Sequence, residues 1–264
     1  MSEDNGLVGE VVKQSKDVLG KAYDDLAHPT AKSIGNTISF LPRTIGIWLS
    51  KWEKWIINGE ESIRLTAEAV KEKAKEIPEE KLTEPEPYVA VPAIQQLSYC
   101  YDSEELRDLY ANLLVSSMNS DTKYKVHPAF VDIIKQITPD EAKLLKVLPQ
   151  DTFAYHPLMD IELKLGPGRG SIDLLRNFSN IGRKVCECPE QINSYLENLD
   201  RLEIISILSG IYVMDDKKYD PIREDPYFKG FINARVEEKM SISEKKKSFH
   251  VTNFGLSFLN TCIQ

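Results

Sequence analysis

The chain is poor in cysteine, lacks paired metal-ligand motifs, has no long apolar run and carries no excess of positive charge. Each shortage closes off a class of protein. The four cysteines are Cys100, Cys186, Cys188 and Cys262. Cys186 and Cys188 are too close for an easy disulfide, and no pair of Cys-x-x-Cys motifs offers four ligands to zinc. Reduced cytosolic thiols are the simplest reading. No uninterrupted apolar stretch reaches the ~18 residues of a spanning helix. The first ten residues, MSEDNGLVGE, are acidic and lack an apolar core, so no secretory signal is expected. Lys and Arg number 33 against 41 Asp and Glu, a net charge of −8. General nucleic-acid binders present a basic face, so that class is not expected, although a local basic patch stays open. What remains is a soluble globular composition, with 264 residues for one large domain or two ordinary ones.

The best-punctuated stretch is 103–148. Ser103 can cap a helix whose first turn carries Glu104 and Glu105, where the helix dipole favours carboxylates. Leu106, Leu109, Tyr110, Leu113 and Leu114 then form one apolar face, and Asn119-Ser120-Asp121 stops it. Pro128 can open a second helix with Phe130, Ile133, Ile134 and Ile137 facing inward. Thr138-Pro139-Asp140-Glu141 fits a capping box for a third, followed by Leu144, Leu145 and Leu148.

Residues 30–58 differ in kind. Ile34, Ile38, Leu41, Ile45, Trp48, Trp52 and Trp55 alternate spacings of four and three, which is one stripe along a helix. All three tryptophans of the chain lie at its end. Pro42 breaks or kinks the stripe. Lys32, Arg43, Lys51 and Lys54 against Glu53 give this segment a local charge of +3. Tryptophans beside lysines compose an interfacial membrane helix. The same stripe also suits a helix packed into a core. The candidate contact residues are Ile45, Trp48, Lys51, Trp52, Lys54 and Trp55.

A charged helix is expected over 60–76. A proline-rich connection follows over 77–92. Farther on, IELKL at 161–165 alternates as a strand, GPGRGS at 166–171 is a turn, and SIDLLRNFSNIGRK reads as a helix or a broken one. Pro189 opens a helix with Ile192, Tyr195, Leu196, Leu199 and Leu202 inward. EIISILSGIYVM reads as a hairpin and KKKSFHVT as a return strand, and Asn253 caps a last helix. Helices, two strands and a closing helix is the order of a winged-helix-like domain.

Sites of chemistry are scarce. His28, His127 and His156 each precede proline, with no Cys, Asp or Glu at ligand spacing, and a local hydrogen bond is the favoured role. GPGRGS lacks the Gly-Lys-Ser/Thr ending of a phosphate loop. Cys186-Glu187-Cys188 lacks the further ligands that a soft metal needs. The 189–202 helix exposes Glu190, Glu197, Asp200 and Glu203 with only Arg201 as a base, which repels DNA phosphates. Lys245-Lys246-Lys247 reads as a solvated charge run.

Leu106-Arg107, Ala111-Asn112-Leu113-Leu114, His127-Pro128-Ala129-Phe130 and Asp140-Glu141-Ala142 together resemble the abortive infection alpha family of bacteria and their mobile elements. Leu199-x-x-Leu202 and Thr252-x-x-Gly255-x-x-Phe258 resemble its C-terminal signature more weakly. Tyr110 stands where members often have Trp. The resemblance implies phage defence, in which an infected cell stops growing or dies before phage matures. It brings no catalytic residue and no cofactor.

The expected architecture is therefore mainly α. An N-terminal amphipathic helical region (1–80) precedes a helical core (81–150) and a winged-helix-like α+β domain (151–264). The expected function is that of a non-enzymatic, cytoplasmic defence protein, peripheral at the inner membrane, without metal or cofactor. Its expected partners are an anionic membrane surface and an unidentified phage or host protein. Specific nucleic acid is disfavoured and self-association stays open. The rival readings are a protein-binding scaffold and an acidic winged-helix regulator.

Overall fold

A computed structural model describes residues 60–263, apart from Ser98 and Tyr101. The first half is helical: α1 (Glu60–Ala74), α2 (Pro87–Leu97), α3 (Glu104–Ser117), α4 (Ala129–Lys135) and α5 (Pro139–Leu145). Then come β1 (His156–Lys164), β2 (Ser171–Phe178), α6 (Ile192–Arg201), β3 (Ile205–Leu208), α7 (Asp220–Arg223), α8 (Pro226–Ile232), β4 (Ser241–Val251) and α9 (Asn253–Cys262).

Helix α3 is the hub of the helical half. Ser103 caps it by accepting the Leu106 N–H at 3.2 Å, as its sequence predicts. Every residue from Leu109 to Ser117 is buried, polar ones included. A helix buried all round must be surrounded, and α1, α2, α5 and α9 all pack on it. Its polar side chains serve the end of α9. Asn112 Nδ2 donates to the Cys262 carbonyl at 2.8 Å, and Ser116 Oγ to the Thr261 carbonyl at 2.9 Å. These bonds satisfy carbonyls that a helix C-terminus leaves without partners.

The capping box of α5 forms in full, with Thr138 and Glu141 exchanging both bonds. The proline-rich connection is corrected in part: α2 starts at Pro87 and runs through Pro92. Pro87 stands in the first turn, where the missing N–H costs nothing. Val89, Ala93 and Leu97, with Ala90 and Ile94, bury one face, and that burial outweighs the bond lost at Pro92.

The four strands form one antiparallel sheet in the order β2-β1-β4-β3. β1 and β4 pair along nine residues, from His156↔Phe249 to Lys164↔Ser241. Leu158, Met159, Asp160 and Ile161 are all buried, so the middle of β1 is covered on both faces. The mainly α expectation is thereby corrected to mixed α/β.

The correction has a local cause. Residues 171–178, expected to be helical, are a strand because the GPGRG turn folds them back on β1. Gly166, Gly168 and Gly170 all take positive φ, and the Leu165 N–H closes the turn on the Gly170 carbonyl at 3.1 Å. The hairpin expected at 203–214 is likewise a single strand, β3. After it the chain runs through 211–235 before returning as β4. From 192 to 262 the order is helix, strand, two short helices, strand, helix: α7 and α8 separate β3 from β4, in place of the expected succession of two strands, and β3 and β4 form half of the larger sheet. The cap of α9 is Thr252 rather than Asn253. No helix among the described residues is long and apolar enough to cross a membrane.

Candidate functional site

Ile45, Trp48, Lys51, Trp52, Lys54 and Trp55 lie outside the described residues. The chemistry-bearing residues of the folded body gather around the loop from 179 to 191, between β2 and α6.

On one side of that loop stands Asp140, in the first turn of α5. Its carboxylate accepts the backbone N–H groups of Glu187 and Cys188, each at 2.8 Å, and the Tyr195 hydroxyl at 3.1 Å. Lys143 Nζ lies 3.6 Å away and also pairs with Glu105 and Glu187. Glu141 accepts from Asn198 Nδ2 at 2.7 Å. One acidic dipeptide thus serves both as the cap of α5 and as the clamp that ties α5 to α6. Burial alone would raise the Asp140 carboxyl, but those donors and Lys143 more than offset it and hold it below the ordinary carboxylate value.

A stability prediction follows from the sign of that shift. A carboxyl whose folded pKa is depressed contributes fully above its unfolded value of about 3.9, and the contribution is lost as pH falls through the folded value. Asp140→Asn is expected to cost about 1–3 kcal/mol at neutral pH, because an amide accepts fewer and weaker bonds. Its urea midpoint should also change less steeply than the parent's below about pH 4. Some slope remains, because Asp225 is shifted the same way. Parallel profiles for the two proteins would refute the assignment.

On the other side of the loop is an open cleft of about 800 Å³ lined by Asn180, Arg183, Glu190, Glu224, Asp225 and Tyr227. The Arg183 guanidinium forks onto buried Asp225 through Nε and Nη2, and Nη1 meets Glu190 at 2.8 Å. Three carboxylates therefore face one cation that is already paired. An anionic ligand would have to break the fork, whereas a cationic side chain would find Glu190 and Glu224 on its rim.

The lysine run at 245–247 is corrected. Lys247 is buried at 3 % exposure, with its ammonium 3.3 Å from Asp160 Oδ2 and bonded to Asn177 Oδ1. Asp160 is itself 4 % exposed and accepts the Asn177 N–H at 2.8 Å. Asn177 in turn donates to Glu197 of α6 at 2.8 Å. The β1–β2 register shifts here, and Asn177 takes φ 54°, so a bulge in β2 turns its side chain to the lysine. The sequence holds a signal for this arrangement. Phe249 and Val251 face inward, and a period of two puts Lys247 on the same side. Lys245 and Lys246 remain at the surface, paired with Glu162 and Asp216.

The other sequence candidates prove local. His127 Nδ1 accepts the Ala129 N–H at 3.1 Å, the expected turn bond. The GPGRG loop is a hairpin turn with open space around Gly168 and Gly170. The Cys186 thiol lies against the Asp140 carbonyl, and burial and the Asp140 charge push it up to about 11. Cys188 is exposed. No group of three metal-ligating side chains occurs among the described residues. Arg201, the one base of the 189–202 helix, is bonded to Asn198 and Gln136.

Comparison with known proteins gives one result. A family model described as abortive infection alpha matches residues 58–262, most of the chain. No curated protein and no solved structure matches it.

Proposed function

Because the chain belongs to the abortive infection alpha family, we propose that it is a non-enzymatic phage-defence protein whose 30–57 segment acts on the inner membrane, or on a partner held there, after infection. Family membership supports the defence role. The non-enzymatic part is supported by one observation: three buried or half-buried ionisable clusters of the folded body are committed to partners across elements. Asp140 clamps α5 to the 186–188 backbone, Arg183 is forked onto Asp225, and Lys247 is matched to Asp160. A general acid, base or nucleophile must be free to meet substrate, and these groups hold the fold together instead.

The membrane part is supported by composition. Trp48, Trp52 and Trp55 with Lys51 and Lys54 are the residues that partition to a lipid interface with anionic headgroups. The test is dye release from anionic liposomes by the purified chain and by a Trp48→Ala/Trp52→Ala/Trp55→Ala variant with an unchanged circular dichroism spectrum. Release by the parent and not by the variant is the expected result. Release by neither would replace the membrane reading with the scaffold reading. The acidic rim of the Arg183 cleft favours that alternative, in which a basic segment of a phage or host protein is held.

A further inference from the structure

Three side chains able to react with one another are shut away together in the sheet. Lys247, Asp160 and Asn177 are 3 %, 4 % and 4 % exposed, and they come from three neighbouring strands, β4, β1 and β2. The middle strand carries the acid. β4 and β2 are two strand spacings apart, roughly 10 Å, a gap that a lysine and an asparagine close by extending towards each other.

They do so here. Lys247 Nζ is hydrogen-bonded to Asn177 Oδ1, the oxygen on the amide carbon Cγ. Asp160 reaches the same ammonium with both oxygens, Oδ1 at 3.4 Å and Oδ2 at 3.3 Å. Its Oδ1 also accepts the Asn177 backbone N–H at 2.8 Å, which fixes the carboxylate beside the amide. The amide is oriented from its other end, because Nδ2 donates to Glu197 Oε1 at 2.8 Å. A flipped amide would set its N–H groups against the ammonium and its oxygen against a carboxylate. An ion pair alone does not require the asparagine, yet Asn177 takes φ 54° at the bulge to bring its amide in. Leu158, directly opposite Lys247, and Phe249, two residues along from it, share its face of the sheet and are fully buried, so the site is poor in water.

We infer that these three residues form an intramolecular isopeptide bond, Lys247 Nζ to Asn177 Cγ, which ties β4 to β2 across β1. One proton passes from the ammonium to Asp160. That turns a buried ion pair into a buried neutral pair, the direction a water-poor site favours. The freed Nζ lone pair attacks Cγ, and the Asp160 acid proton stabilises the charge that develops on Oδ1. The Cγ–Nδ2 bond then breaks. Asp160 carries the proton given up by Nζ to the departing nitrogen, which leaves towards solvent past Glu197, an exposed residue. The net change converts an ammonium and a primary amide into a secondary amide and an ammonium ion. No electrons are transferred, and Asp160 ends as it began. Fixed contact between the reacting groups offsets the poor electrophilicity of an amide. The reaction is internal and happens once per chain, so it asks for no access by a substrate and leaves the non-enzymatic reading as it stands. It is independent of the membrane reading.

The test is the mass of the purified full chain after prolonged incubation in the folded state, followed by tryptic digestion. The expected mass is that of the sequence less one ammonia. Trypsin cuts after Arg176, Arg183 and Lys246 but not at an acylated lysine, so the expected digest joins 177–183 to 247–264 as one branched peptide. The join is the decisive reading, because a cyclised asparagine also loses ammonia but leaves the two peptides separate. Asn177→Gly is the folding control, since glycine accepts φ 54° and the Lys247–Asp160 pair stays. It should melt cooperatively and show the full mass. Asp160→Asn, assayed in its folded fraction, should form the branched peptide roughly a hundredfold more slowly, the scale of loss when a positioned proton-transfer group is removed.

A folded parent with the full mass and two separate peptides overturns the inference. Loss of ammonia without the branched peptide overturns it as well. Joining at the parent's rate in folded Asp160→Asn overturns the role given to Asp160.

Discussion

Gly255→Ala is expected to be among the most damaging single substitutions in the folded body, costing about 3 kcal/mol or more. A Cβ at this position would lie 1.9 Å from the Ile204 carbonyl oxygen, 2.7 Å from its carbon and 2.9 Å from the Ile204 Cα. All three are backbone atoms, so no rotamer change relieves the contact. The same few residues are bonded from several sides. The Thr252 N–H donates to Ile204 O at 3.1 Å, Thr252 Oγ1 donates to Glu203 O at 2.5 Å, and Gly255 N–H donates to Thr252 Oγ1 at 2.8 Å. Helix α9 cannot shift to make room. Its far end is bonded to α3, and Phe258, Leu259 and Cys262 are fully buried.

For a folded unit of this size, the loss corresponds to a fall of roughly 6–12 °C in melting temperature. Gly230→Ala is the control. Gly230 lies in α8 with open space around the position, so alanine there should be neutral or slightly stabilising. A Gly255→Ala protein within about 1 kcal/mol of the parent would mean that α9 does not cross β3 this closely.

The second large effect concerns Asp160 and Lys247. Asp160→Asn leaves the buried ammonium without its counter-charge, and Lys247→Met leaves the buried carboxylate without its cation. Each single variant is expected to lose about 3–5 kcal/mol. The double variant should lose much less than the sum, because both charges are gone. The carbonyl of the introduced amide can still accept the Asn177 N–H, and the methionine fills the lysine's volume. Urea unfolding of all four proteins closes the cycle. Additive losses would show that the pair is not coupled. The folded double variant also tests the non-enzymatic reading: it should still protect cells from phage, and loss of protection in a variant that folds and accumulates would give these residues a role beyond stability.

Legibility from sequence varies with the range of the interaction. The caps of α3 and α5 are readable to the residue, since Ser103, Thr138 and Glu141 bond partners within three positions. His127 is readable for the same reason. The buried lysine escapes notice because a run of three lysines looks like surface until the strand's period is applied to it. The return strand at 171–178 escapes as well, because Ile172, Leu174, Leu175 and Phe178 suit a helix face as well as a bulged strand. Only pairing with β1 settles which.

Spacing, capping and local bonds, which act over a few residues, are enough to specify α1, α3, α4 and α5, the α6 and α9 segments, the family, and the lack of any paired metal-ligand motif, whereas α2 is hidden by its prolines. Tertiary structure alone decides that the second half is built on a four-stranded sheet, that Asp140 clamps the loop at 186–188, and that Lys247 meets Asp160 across two strands. Each of those depends on residues far apart in the chain. Their free energy comes from burial and charge pairing that exist only once the strands are in register.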